Sequence, residues 1–138
     1  MSNPAPMTSQ TADPRSLNIV RYALLAGTLS FGMIAWVVSD TRGLVPAIDD
    51  GIEVYVWSML VLVFIGLFGG VLAVRSKWTA AETFDEKQSA NIVGWALAEL
   101  AGLLGGLYLL MVGNPLFFGA GIALQGMASF VLLPVPKR

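Results

Sequence analysis

The chain contains neither cysteine nor histidine among its 138 residues. Without cysteine it forms no disulfide, no thiolate nucleophile and no iron–sulfur ligation. Without histidine it lacks a common ligand of haem, zinc and copper and the usual general base at neutral pH. We therefore expect no catalytic residue, no metal site and no cofactor ligated by this chain. Contact by shape alone with a lipid, a quinone or a pigment remains compatible with this composition.

Charged residues are also scarce. They make up 12% of the chain, whereas 56% is hydrophobic, and a soluble domain carries roughly 25% charged residues. A soluble fold of this size does not bury so much apolar surface, so lipid is the expected solvent. The net charge of −1 gives no reason to expect a nucleic acid partner.

Four apolar stretches are long enough to cross about 30 Å of hydrocarbon. These predicted spans cover residues 17–38, 53–74, 89–112 and 115–133. Because they are apolar on all sides, we predict an all-α integral membrane four-helix bundle over residues 17–138 rather than a soluble bundle. Residues 1–16 are polar and rich in Pro, Ser and Thr, which predicts a flexible cytoplasmic tail.

The short link between the third and fourth spans predicts a tight antiparallel hairpin. It consists of Gly113, Asn114 and Pro115. Glycine or asparagine is suited to the left-handed position that ends a helix, and proline to the first position of the next one.

Positive charge predicts the orientation. An even number of spans places seven cations on one side: Arg15, Arg21, Arg75, Lys77, Lys87, Lys137 and Arg138. Arg42 alone falls on the other side. This bias predicts a multi-pass protein of the bacterial inner (cytoplasmic) membrane with both termini in the cytoplasm. Large aromatic residues fall near the predicted interfaces, as an aromatic belt requires: Trp36, Tyr55, Trp57, Trp78 and Trp95.

One carboxyl interrupts the third apolar stretch, WALAELAGLLGGLYLLMVGNP (95–115): Glu99. A charged group at the bilayer centre costs about 3 kcal/mol on insertion scales, so we expect a protonated acid that donates a hydrogen bond. Counting depth along the helices favours Thr28 and Ser129 as partners. Gln125 is a further candidate, through a water or across to another chain. The carboxyl is interpreted either as a structural link between helices or as a proton or cation site.

Small residues predict where helices pack closely, because they let backbones approach in lipid. The predicted packing positions on the second, third and fourth spans are Gly66, Gly70, Gly94, Gly102, Gly105, Gly106 and Gly119. Ordinary packing within the bundle is a simpler interpretation of this pattern than a specific oligomer motif.

Three resemblances bear on Glu99. The segment ALAELAGLLGGLYLL (96–110) resembles the carboxylate helix of rotary ATPase proteolipids, where an acid sits among small residues. The likeness covers about fifteen residues and implies ion translocation. Four short helices with one membrane acid also resemble small multidrug-resistance exporters, whose acid lies in the first helix. More loosely, the chain resembles small four-helix bacterial inner-membrane proteins with an acid in the third helix, a likeness that implies no activity.

These observations favour a non-catalytic accessory subunit of a larger bacterial membrane complex, which acts by helix packing. We expect an energy-transducing host, photosynthetic or respiratory, with membrane lipid and other transmembrane subunits as partners. The alternative is a small proton-coupled transporter or ion-translocating proteolipid that uses Glu99. No nucleophile–base pair is visible, so we do not expect an enzyme.

Overall fold

The computed structural model describes residues 13–41 and 50–136, which form four α-helices and one π-helical turn. The helices are α1 (Pro14–Thr41), α2 (Asp50–Ala80), α3 (Phe84–Val112) and α4 (Leu116–Met127), and α4 continues into a π-helix (Ala128–Leu132). The predicted all-α class with four helices is confirmed for this part of the chain. Three of the helices, α1, α2 and α3, are long and apolar enough to cross a membrane. The joined segment Leu116–Leu132 is shorter.

The first three helices extend beyond the predicted spans, because a hydropathy window detects only the apolar part of a helix. α1 begins at Pro14, so residues 14–16 of the predicted tail are helical, and residues 1–12 lie outside the described residues. α3 begins at Phe84 rather than at residue 89. Its added turn is fixed by a capping box. The Thr83 hydroxyl accepts from the Glu86 amide at 3.3 Å, and the Glu86 carboxylate accepts from the Thr83 amide at 3.3 Å.

α3 lies at the centre of the bundle. It contacts each of the other three helices, which contact one another much less. Its buried side holds Trp95, Ala98 and Ala101, which pack with Val71 of α2 and Leu124 of α4. The opposite side of α3 is exposed and apolar along its length: Ile92, Val93, Leu100, Leu103, Leu107 and Met111. Within the described residues, one face of the central helix is therefore left unpacked.

Glycines bring α3 and α4 into backbone contact. A Cβ built on Gly121 would lie 2.6 Å from the Cα of Gly102, and one built on Gly105 would collide with the backbone carbonyl of Phe117. The chain turns between the two helices at Gly113, whose φ of 79° is left-handed and whose amide donates to the Leu109 carbonyl. Because these contacts are made by glycines, the backbones of α3 and α4 approach closely. A larger residue there would force one backbone to move.

Candidate functional site

Glu99 lies at the outer edge of the contact between α1 and α3, partly exposed. Its Oε1 is 3.9 Å from a Cβ built on Gly27 of α1, so Glu99 lies at the level of the residue that precedes Thr28, near the depth expected from the sequence. Among the described residues, Glu99 has no hydrogen bond and no ion pair. The carboxyl is therefore held next to a second helix, open to the outside of the bundle, with nothing in this part of the chain to satisfy it.

None of the three partners expected for Glu99 forms a hydrogen bond with it in the described part of the chain. The Thr28 hydroxyl donates to the Leu24 carbonyl of its own helix at 3.1 Å, and its methyl group packs on Gly102. Ser129 lies at the level of Arg21, whose guanidinium donates to the Ser129 carbonyl at 3.4 Å. Threonine in an apolar helix satisfies its hydroxyl by bonding back to the preceding turn, so it needs no acid from α3.

Gln125 is buried inside the bundle rather than beside Glu99. It is 1% exposed, and its Oε1 lies 3.7 Å from a Cβ built on Gly102, the glycine that Thr28 also contacts. Neither Oε1 nor Nε2 has a hydrogen-bond partner among the described residues. The structure thus brings Thr28 and Gln125 together on Gly102, places Glu99 on the outer edge about one turn away, and leaves Ser129 elsewhere.

The glycines named from the sequence divide into two groups. Those on α3 lie inside the bundle: Gly94 against Leu133 and Val74, Gly102 against Thr28, Gly105 against Phe117, and Gly106 against Phe31. A Cβ built on Gly70 of α2 would lie 3.2 Å from Leu97, whereas one built on Gly66 or Gly119 would have nothing within 4 Å. Gly66 and Gly119 therefore take no part in packing within the described chain.

Two arginines hold the end of the π-helix. Nη1 of Arg75 on α2 donates to the Leu132 carbonyl at 2.8 Å and to the Val131 carbonyl at 3.3 Å. Arg21 on α1 reaches the Ser129 carbonyl and lies over the ring of Phe130 at 4.6 Å. The last carbonyls of a helix have no partner within the helix and carry partial negative charge. The guanidinium groups supply both the missing donors and the positive charge.

α3 adds two further donors to the same segment. Nε1 of Trp95 donates to the Leu133 carbonyl at 3.1 Å, and Nδ2 of Asn91 donates to the Pro134 carbonyl at 3.2 Å. We call Arg21, Arg75, Asn91 and Trp95 the C-terminal clamp. Each of the three long helices contributes to it. The interpretation of Trp95 as an interface residue was wrong, because its side chain is 1% exposed and belongs to the core.

The clamp was not predicted from the sequence, although the sequence contains one signal for it. Pro134 and Pro136 follow the fourth apolar stretch, and proline does not continue a helix. The carbonyls before these prolines therefore need donors from elsewhere, and Arg21, Arg75 and Asn91 are polar residues at the same end of the other spans.

Polar contacts also mark the opposite end of the bundle. The Tyr108 hydroxyl of α3 donates to the Glu53 carboxylate of α2 at 3.2 Å, and Ser39 of α1 lies beside Gly113. From Arg21 to Ser39 is 18 residues of helix and from Glu53 to Arg75 is 22, or about 27 and 33 Å at 1.5 Å per residue. These lengths bracket the roughly 30 Å of a bilayer core. The polar residues are therefore spaced as membrane interfaces require.

Within residues 13–41 and 50–136, no group of three or more acidic, cysteine or histidine side chains is placed to hold a metal ion. Comparison of the chain with protein-family models, with curated proteins and with solved structures found no match.

Proposed function

We propose that the protein is a non-catalytic, membrane-spanning accessory subunit of a larger bacterial membrane complex, which it stabilises by helix packing. The observation that carries the proposal is the position of Glu99. Glu99 is partly exposed at mid-depth, beside Gly27 of α1, and its carboxyl has no partner among the described residues. A polar group in hydrocarbon is costly unless it is hydrogen-bonded, so a partner helix that satisfies Glu99 gains that free energy on docking.

The edge that carries Glu99 has the shape that close helix packing needs. Gly27 is beside the carboxyl, and Ala23 and Ser30 share its face of α1 by helical spacing and are exposed. Small residues let a neighbouring backbone approach. Next to them, the exposed side of α3 runs from Ile92 to Met111, about 28 Å at the standard rise. This length suits a complete transmembrane helix.

The proposal places both ends of the chain in the cytoplasm of a bacterial inner membrane. The clamp arginines, Arg21 and Arg75, lie at the end of the bundle where the π-helix ends. Cations of this kind favour the cytoplasmic side. The class of the host complex, respiratory or photosynthetic, stays a prediction from the sequence.

A photo-crosslinking experiment in the native membrane tests this function. A photoreactive residue at Ser30, on the edge with Glu99, should form a covalent adduct with one distinct membrane subunit in nearly stoichiometric yield. The matched control is Leu62, which is 68% exposed on α2 and should give lipid adducts only. Lipid adducts alone at Ser30, or the same protein captured equally at both positions, would refute the accessory role.

The second candidate function is proton-coupled transport through Glu99. The partial exposure of the Glu99 side chain favours this function. A carboxyl at an outer edge is able to exchange its proton with a partner that moves past it, as the resemblance to proteolipids implies. The purified protein would then be a pure homo-oligomer, and after reconstitution Glu99→Gln would abolish proton-linked flux. An accessory subunit predicts no flux in either variant and unrelated subunits in mild-detergent purification.

A further inference from the structure

A second feature of the unpacked side of α3 lies at the arginine end of the bundle, next to the short link between α2 and α3. A groove of about 700 Å³ opens there between the two helices, within the size range of small-molecule sites. Its floor is apolar, formed by alanine and valine, and its polar residues are Lys77, Asp85, Glu86 and Ser89. Val93 lines the groove and also belongs to the exposed apolar side of α3, so the polar groove runs directly into an apolar surface.

Within the described residues, the charged side chains that line the groove are not paired with each other. Lys77 lines the groove opposite Asp85, yet neither side chain has an ion pair or a hydrogen bond within the described residues. Glu86 is already engaged, since its Oε2 accepts from the amides of Glu82 and Thr83 at 3.1 and 3.3 Å. The groove therefore offers one cation, one carboxylate without a partner and the Ser89 hydroxyl to an occupant.

We propose that this groove binds a membrane phospholipid whose headgroup carries both a phosphate and a primary ammonium. The Lys77 ammonium and the Ser89 hydroxyl donate to the phosphate, and the Asp85 carboxylate accepts from the ammonium. The acyl chains lie along Val93 and the exposed apolar side of α3.

The charge balance of the groove selects among phospholipids. With two carboxylates and one lysine, a headgroup that is only anionic meets net repulsion at close range. A quaternary amine has no N–H to donate to Asp85. The depth agrees as well, because Lys77 follows Arg75 by two residues and Arg75 marks one polar end of the bundle. The inference rests on the membrane insertion that is part of the proposed function, but it needs no partner subunit.

Native mass spectrometry of the delipidated full chain tests the site. Phosphatidylethanolamine, phosphatidylglycerol and phosphatidylcholine with identical acyl chains are titrated separately onto the detergent-solubilised protein. We expect phosphatidylethanolamine to bind about tenfold more tightly than the other two lipids, and Lys77→Met to weaken the binding of phosphatidylethanolamine about tenfold. Asp85→Ala, which removes the acceptor, should abolish the preference over phosphatidylcholine. The control is Lys87→Met, which makes the same charge change at a residue that lies over the Trp78 ring, 5.5 Å away, and does not line the groove.

Equal binding of the three lipids by the unmodified protein, or tighter binding of phosphatidylglycerol, would overturn the proposal without any variant. An equal loss of phosphatidylethanolamine affinity in Lys77→Met and Lys87→Met would also overturn it. Because the isolated chain is used, failure of this test leaves the accessory role intact. Failure of the Ser30 crosslink likewise leaves this lipid site intact.

Discussion

Gly121 of α4 rests on Gly102 of α3, so closely that a Cβ at residue 121 would lie 2.6 Å from the Cα of residue 102 and 2.7 Å from the carbonyl oxygen of Ala101. The obstacle is backbone, which does not rotate away as a side chain does. Gly121→Ala should therefore separate the helices and destabilise the protein by about 1–3 kcal/mol. Thermal unfolding in detergent measures this change.

The matched control for that substitution is Gly119→Ala on the same helix, where no described residue lies within 4 Å of a built Cβ. It should leave the unfolding temperature unchanged or raise it slightly, because alanine favours a helix over glycine. If both variants unfolded at the same temperature, the backbone contact between α3 and α4 would not determine stability.

Removing Arg75 should release the end of the chain. Arg75→Met leaves the Val131 and Leu132 carbonyls without their donor, and hydrogen bonds from charged groups contribute about 1.5–3 kcal/mol. The amide of Leu133 donates to the Ala128 carbonyl at 2.9 Å. Its hydrogen should exchange faster, by the factor to which that lost free energy corresponds. Hydrogen exchange resolved by residue measures this. Arg15→Met, at an exposed position, is the control and should leave Leu133 protected.

The amide of Gln125 is predicted to cost stability. It is buried, and neither of its polar atoms is paired within the described residues, an arrangement that costs about 1–3 kcal/mol. Gln125→Met keeps a similar volume without polar atoms, so it should raise the free energy of unfolding by about 1 kcal/mol. A marked loss of stability in Gln125→Met would show that the amide is satisfied in the folded protein.

Glu99→Gln should have little effect on the isolated protein. Because Glu99 has no partner among the described residues, the free energy of unfolding in detergent should change by less than about 0.5 kcal/mol, as for other outward-facing positions. In the native membrane, Glu99→Gln should retain the Ser30 crosslink, since an amide still hydrogen-bonds, whereas Glu99→Leu should lose most of it. Unfolding of the isolated Glu99→Gln protein would instead assign the carboxyl to the interior of this chain.

The sequence predicted the helices well because a long apolar stretch has few alternatives to a helix when lipid is the solvent. It also predicted that Thr28 stands near the depth of Glu99, since depth follows from the rise per residue. The rotation of each helix was harder to predict. Thr28 and Gln125 lie near the depth of Glu99, whereas Ser129 lies at the level of Arg21. Which side of its helix each residue occupies depends on the packing of glycines and large side chains across three helices.

The C-terminal clamp is a second feature that could not be predicted from the sequence. Trp95 was predicted to be an interface aromatic, and Asn91 was not singled out, because their hydrogen-bond acceptors are carbonyls about 40 residues later in the chain. Backbone carbonyls carry no signature in the amino-acid sequence. Only the break in the helix at Pro134 indicates that donors are needed, and it does not say which residues supply them.

Site-directed cysteine labelling tests the central claim that the helices cross a membrane with both ends on its cytoplasmic side. The chain has no cysteine, so each introduced thiol reports alone to a membrane-impermeant maleimide applied to intact spheroplasts. The account predicts that cysteines at Thr41 and Asn114 are labelled from outside, whereas those at Arg15 and Thr79 are labelled only after the membrane is opened. Labelling of all four positions in intact spheroplasts, or of Arg15 and Thr41 from the same side, would contradict it.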